Sequence, residues 1–486
     1  MYVKCDKLIS INPQQFFENK EIYLEGAQKV VSLRSRARVI SVEELSGEVK
    51  LNYRLTITAV YLTSAEALDF KEESYDLTTT LKNHLLTPQS NVLAEVNVIG
   101  VEYVGQSNVK VRVYLEASGK FILACGYKNV EAEGGLIVKQ NAQKVECVQP
   151  FSTAEIVVEN SVEPKEFISD IISTDTDITI KSVSTATDIC EISGEAQTYL
   201  TYVSGNELCS TIITTPFERE LLSEGITDMD QAYLKAIANT INVTLNEEDG
   251  AQSLMLEIVM DVSGYTIRNE EAIFITDCYS KDSELKVKLA HAELTENICR
   301  TVSMQKFSGS VSLDDGPEGK SIVCLGTPFV SATNVSISDG INVEGVISVE
   351  LVYRSEQNTL ERLLAEVPYK FNFKGDFDCS GDLCAKVVVK EISGRMRYGY
   401  VELMGEACVE LNGTKIKEVK FVEDVEVVAP REVNDAVISV YLVGESETLF
   451  DVAKALASTE EELIELNPEI NLPIKKGDKI LMYRPL

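Results

Sequence analysis

Long runs in which apolar and polar residues alternate dominate this chain, and a period of two admits one kind of backbone. Val109, Val111, Val113 and Leu115 alternate with Lys110, Arg112, Tyr114 and Glu116. Leu254, Leu256, Ile258, Met260 and Val262 interleave with Ser253, Glu257 and Asp261. Val401, Leu403, Ala407, Val409 and Leu411 interleave with Glu402, Glu406 and Glu410. In an extended strand successive side chains point to opposite faces, so each run sends one face to a core and the other to water. That is the pattern of half-buried antiparallel sheets. Most of residues 30–430 reads this way, and the expected fold class is mostly β.

The runs also sit in corresponding places. Each reaches a pair that reads as a turn, Ser118-Gly119, Ser263-Gly264 and Asn412-Gly413, at lags of 145 and 149. A second landmark, Gly194 to Tyr202, matches Gly345 to Tyr353 at a lag of 151; Tyr53 to Tyr61 is the first copy, without the glycine. A third, Pro216-Phe217 against Pro368-Tyr369, lies 152 apart and is missing from the first copy. Three landmarks in one order imply three copies of a unit near 145 residues, too long for a solenoid repeat and long enough for a core apiece. The expected divisions are an N-terminal segment 1–28, β-rich, sandwich-like domains at 29–150, 160–290 and 300–430, and a different module at 437–486. Joints are expected at Glu159–Pro164, around His291–Arg300 and at Val428–Asn434.

Charge narrows the partners. The 486 residues carry 45 Lys and Arg against 77 Asp and Glu, a net charge of −32. So negative a surface repels phosphate backbones and anionic lipid, so neither nucleic acid nor a membrane surface is an expected partner. The longest apolar runs fall far short of the ~20 residues of a membrane helix. The opening residues lack a long apolar stretch, so no signal peptide is expected, and the protein should stay where it is made. Eleven cysteines occur with no C-x-x-C pair, and only Cys379 and Cys384 come near zinc-ligand spacing. Reduced, mostly buried thiols are the expected reading.

From residue 437 the pattern changes. Val440 to Val443 reads as a short strand. Thr448 caps an amphipathic helix with Leu449, Val452, Ala453 and Leu456 on one face. Ser458-Thr459 followed by Glu462 signals a capping box, and Asn467-Pro468 stops the second helix. Gly477-Asp478 turns the chain into a last strand, Lys479 to Tyr483. This βααβ order resembles the LysM domain, with Tyr441, Val443, Thr448, Leu449, Ala453, Leu463, Asn467, Pro468, Ile474 and Gly477 on its pattern. Ser446 stands where that family has glycine, and Glu447 where it has aspartate. The resemblance places a binding groove between the loops Gly444–Leu449 and Asn467–Leu472. The residues it implies are Glu445, Ser446, Glu447, Thr448, Leu449, Asn467, Pro468, Glu469 and Ile470. The carboxylates of Glu445, Glu447 and Glu469 suit a protein partner with a basic patch.

A LysM-like end on an acidic chain of β repeats resembles the SPOCS-plus-LysM spore-envelope morphogenetic proteins of endospore formers. The likeness rests on Gly194 to Tyr202 and Gly345 to Tyr353, each followed by the run through Phe217 or Tyr369. It implies three tandem SPOCS-type domains before the LysM domain, and assembly in the mother-cell cytoplasm at the forespore coat surface. It also implies scaffold work, with the morphogenetic ATPase of the coat basement layer and other coat proteins as partners. Self-association through sheet edges is a further expectation. The rival reading is a peptidoglycan-binding protein whose LysM grips N-acetylglucosamine glycan at cortex or cell wall.

The residues point to no enzyme. His84 and His291 each lack a second histidine nearby, so surface or interdomain roles are expected. Gly316 to Ser321 misses phosphate-loop spacing, because Asp314 stands where its first glycine belongs. The pairs Asp175/Asp177 and Asp376/Asp378 lack the rest of a calcium loop and read as solvated turns. No catalytic residue, metal site or cofactor is expected.

Overall fold

The structure is a computed structural model that describes residues 2–131, 135–205, 207–248, 250–313, 317–338, 340–374, 383–432 and 437–483. It is mostly β, as the alternation predicts, with two short helices near the C-terminal end. The pairing rule recurs three times. Lys7–Tyr23 pairs with Asn108–Leu123, which pairs with Val92–Val104, while Ala27–Leu45, Glu48–Thr63 and Leu68–Lys82 form a second sheet. Leu51, Tyr53, Leu55 and Ile57 of the second sheet share one core with Val109, Val111, Val113 and Leu115 of the first. Next, Leu136–Val162 pairs with Ala251–Ser280 and that with Gln231–Glu248, beside a sheet of Asp170–Ala186, Ile189–Ser204 and Glu207–Leu222. Last, Ser283–Ser312 pairs with Tyr400–Pro430 and that with Leu383–Arg397. Beside this sheet Gly340–Ser355 pairs with Leu360–Phe373 and with both Gly319–Leu325 and Phe329–Ser338. In each unit the first strand lies beside the last.

That long-range closure moves the connections away from the expected joints. The segment 1–28 supplies the first strand of the first unit, and Leu136–Val162 opens the second unit instead of closing the first. Residues 291–300 run inside a long strand, and the described connections between units lie at 124–131 and at Lys281–Asp282. Alternation marks a strand but not its partner. The Ser-Gly and Asn-Gly pairs are not turns either, since all three lie within long strands. A Cβ on Gly264 would sit 2.1 Å from the Tyr233 carbonyl oxygen, so this glycine serves a close strand approach beside a bulge.

The second landmark has a packing cause. Gly194 is paired with Phe217 and Gly345 with Tyr369, and a Cβ on either glycine would strike that ring, at 2.6 and 2.5 Å. The first copy reverses the arrangement: Tyr53 occupies the glycine's place, is fully buried and meets Phe16 edge-on at 6.0 Å. In each unit one member of this cross-strand pair is aromatic.

The three units close on one another. Val31 and Val60, Ile172 and Leu208, and Cys324 and Val352 bring two side chains from each unit into one cluster. At a second junction Tyr127, Phe274 and Phe421 meet with ring centroids 5.7 to 6.3 Å apart, beside Cys5 and Cys147. None of the nine described cysteines is in a disulfide and five are buried. Burial pushes the Cys5 thiol up to about 11 and Cys147 to about 12, so neither is a ready nucleophile.

The C-terminal module follows the strand–helix–helix–strand order. Ile438–Leu442 pairs with Lys479–Tyr483, and helices α1 (Leu449–Leu456) and α2 (Glu460–Leu466) lie between them in sequence. Val443, Leu449, Val452, Ala453, Leu463 and Ile480 make its core. Asp451 accepts from the N–H and hydroxyl of Thr448, and Glu462 and Thr459 close a reciprocal capping box. Both caps agree with the sequence reading. The module is seated on the second unit. Tyr279 donates its hydroxyl proton to the Ser458 carbonyl at 2.6 Å and meets Phe450 edge-on at 5.2 Å. Lys454 pairs with Asp277 at 2.7 Å and Lys281 with Glu462 at 2.6 Å.

Candidate functional site

The two loops named from the sequence divide into residues spent on the fold and residues left at the surface. Glu447 turns inward: its carboxylate accepts from the Gly444 N–H at 2.7 Å and the Tyr441 hydroxyl at 2.9 Å. Ser446 has φ +63°, the left-handed backbone that glycine adopts most freely, which is why its position favours glycine. Glu445 is exposed and paired with Lys476 at 3.0 Å. Thr448 accepts from Lys139 of the second unit at 3.2 Å, and Leu449 is buried in the core. In the other loop Asn467 is wholly structural. Its amide donates to the carbonyls of Leu463 and Leu481, at 2.7 and 2.8 Å, and accepts from the Leu481 N–H at 2.7 Å. Pro468 and Glu469 are exposed, while Ile470 is half-buried against the core.

The larger surface feature is on the ribbon. Ile438 lies opposite Tyr483, Val440 opposite Leu481 and Leu442 opposite Lys479, so these side chains share one face. The five apolar ones are exposed, from 48% for Leu481 to 65% for Ile438. A contiguous apolar face of this kind marks an interaction surface. The signal was in the sequence: Val440-Tyr-Leu-Val443 is apolar at every position, which a strand with one wet face has no need to be.

A second set of groups lies where the units meet. Along Ala27–Leu45 the polar residues Ser32, Arg34, Arg36 and Arg38 alternate, and all four reach other units. Ser32 and the Leu33 N–H donate to Glu350, which also takes Arg362. Arg34 donates to Thr201, Arg36 to the Thr174 carbonyl and Arg38 to Asn239. A cavity of about 60 Å³ remains among Arg34, Ser35, Asp175, Tyr199, Thr327 and Glu350. Deeper in, Glu95 takes both Lys235 and, at 3.3 Å, Lys386. Each of the three comes from the next-to-last strand of its own unit, three residues ahead of that strand's bulge. Burial opposes the Glu95 charge, but the two ammonium groups hold its carboxyl well below the usual range. Burial and the neighbouring Lys386 bring Lys235 down to about 8. The three-arginine alternation was legible in the sequence, whereas the Lys–Glu–Lys cluster joins residues with no shared motif.

Asp175 and Asp177, expected in a solvated turn, sit instead on a strand facing this junction. Burial and the Asp175 carboxylate push Asp177 up to about 6, against the attraction of Lys390. The Lys390 Nζ is buried without a hydrogen-bond partner, and burial lowers its pKa. His84 and His291 are both exposed. Asp314, Asp315, Gly316, Asp376, Asp378 and Cys379 lie outside the described residues. Among the described residues no three His, Cys, Asp or Glu side chains converge as a metal site, and no helix is long and apolar enough to cross a membrane.

Comparison of the chain with protein-family models, with curated proteins and with solved structures gives no match.

Proposed function

We propose that this chain is a non-catalytic scaffold whose C-terminal module docks a protein partner. The setting is the spore-envelope assembly implied by its resemblance to SPOCS-plus-LysM proteins. One observation carries the reading: the ribbon presents five large apolar side chains to solvent on a single face. Such a face gains by excluding water against a complementary apolar surface, about 25 cal/mol for each Å² buried. A polar glycan offers little of that. The three β units support the reading in a second way, because at their junctions Glu350 is engaged with Arg362, and Glu95 with Lys235 and Lys386. The partner in this reading is the morphogenetic ATPase of the coat basement layer, and the protein acts at the coat surface of the forespore.

The test is capture of that ATPase by the full chain, beside sedimentation with purified peptidoglycan. Leu449→Ala empties part of the module core, should cost about 2–4 kcal/mol and should abolish capture. Capture that survives an unfolded module would refute docking through it. Saturable peptidoglycan binding without ATPase capture would establish the glycan-binding alternative in its place.

A further inference from the structure

The ribbon has two edges, and the structure treats them differently. On the outer edge of Lys479–Tyr483 the side-chain amide of Asn467 both donates to and accepts from the backbone of Leu481, as a neighbouring strand would. The Leu481 N–H and C=O therefore point away from the other strand. In an antiparallel ladder the residue opposite must then also point its N–H and C=O outward, and that residue is Val440. The register is confirmed one turn on, where the Val443 N–H donates inward to the Asp478 carbonyl at 2.9 Å. By the period of two, the backbone groups of Ile438, Val440 and Leu442 all face the outer edge. Among the described residues nothing pairs with them. The same three residues carry the exposed apolar side chains.

We infer that this open edge binds an extended segment of a basic protein partner by strand addition. The inference rests on the docking reading above and names the surface that performs it. An added strand would satisfy the outward N–H and C=O groups and lay its alternate apolar side chains beside Ile438, Val440 and Leu442. Charge selects the occupant. A second copy would bring another −32 charges to the contact, whereas a lysine- or arginine-bearing strand is drawn to it. The module is itself acidic, with nine Asp and Glu against four Lys over residues 437–483, although Glu447 is turned inward and Glu445 is paired with Lys476.

The probe is a short synthetic peptide of alternating valine and lysine, titrated against the full chain at physiological ionic strength. Controls are the same peptide with alternate backbone amides N-methylated, and one with glutamate in place of lysine. Val440→Pro deletes one outward N–H without touching the Ile438–Leu442 to Lys479–Tyr483 ladder, a substitution that edge strands tolerate. The expected result is saturable binding weakened about tenfold or more by Val440→Pro and by N-methylation, with melting of the chain unchanged. No binding, or binding indifferent to both changes, overturns strand addition. A dimer of the chain that dissociates on Val440→Pro overturns the basic partner in favour of a second copy. If Val440→Pro captures the coat-basement ATPase as well as the parent chain does, the edge assignment fails while docking stands. If the parent chain captures none, it is the docking reading that fails.

Discussion

Asp177 and Glu95 lie at the same meeting of the three units and are pushed in opposite directions, because of what faces each of them. Glu95 meets two ammonium groups, and its carboxyl is held down. Its contribution to stability is complete above the ordinary carboxylate pKa, about 4.3, and is lost as pH falls towards the folded value. Asp177 is raised to about 6 by burial and by Asp175. Between the ordinary Asp value, about 3.9, and 6 the folded state holds the proton more tightly, so stability falls as pH rises through this window. Asp177→Asn should therefore raise the melting temperature at about pH 7.5, where the aspartate is ionised, and raise it clearly less at about pH 4.5, where the folded carboxyl keeps its proton. Thermal melts at the two pH values read this directly, and an equal gain at both would show that burial of charge is not the cause. The glycine landmarks teach the same lesson about neighbours. Gly194 and Gly345 were visible as a repeat, but their reason, a ring from the adjoining strand, appears only with the register.

Among the elements, the two helices were the most legible and the strand partners the least. Thr448 with Asp451, and Thr459 with Glu462, are capping pairs three residues apart, and the structure closes both. A long strand announces itself by alternation, yet Lys7–Tyr23 finds its partner about a hundred residues later, and no local signal records that. The seat of the C-terminal module was invisible for the same reason. Tyr279 belongs to a strand of the second unit, but its ring is in the module core and its hydroxyl bonds to Ser458. Burial raises that hydroxyl to about 12, so it remains a donor at any pH the chain would meet. Tyr279→Phe removes one buried hydrogen bond and should cost about 1–2 kcal/mol. The loss should appear as faster amide exchange in α1 and α2, with the strands Glu48–Thr63 and Asn108–Leu123 unaffected. Exchange that speeds up throughout the chain would mean the bond supports more than the module's seat.

At the scale of the whole molecule, three units with separate cores would ordinarily melt separately, unless their junctions cost enough to break. Here the junctions are of two kinds. The polar one joins arginines and lysines to carboxylates that are buried, as Glu350 is, or largely so, as Glu95 is, and for such pairs the cost of taking the charges out of water offsets most of their attraction. The apolar ones are dry: Phe421 is 2% exposed, and its ring meets Tyr127 edge-on and Phe274 at a tilt, which come from the segment after the first unit and from the second. Cooperativity should therefore depend on the rings and survive high salt. Phe421→Ala deletes a ring from this junction and should cost about 3–5 kcal/mol. Calorimetry supplies the readout. The parent chain should show one transition with matching calorimetric and van't Hoff enthalpies, and Phe421→Ala should show an early, separate transition. If high salt splits the parent's transition and Phe421→Ala does not, then the charged cluster around Glu95 is what makes the three β units behave as one body. A body that moves as one matters for the scaffold reading, because it fixes where the open edge at Val440 stands relative to everything else the chain carries.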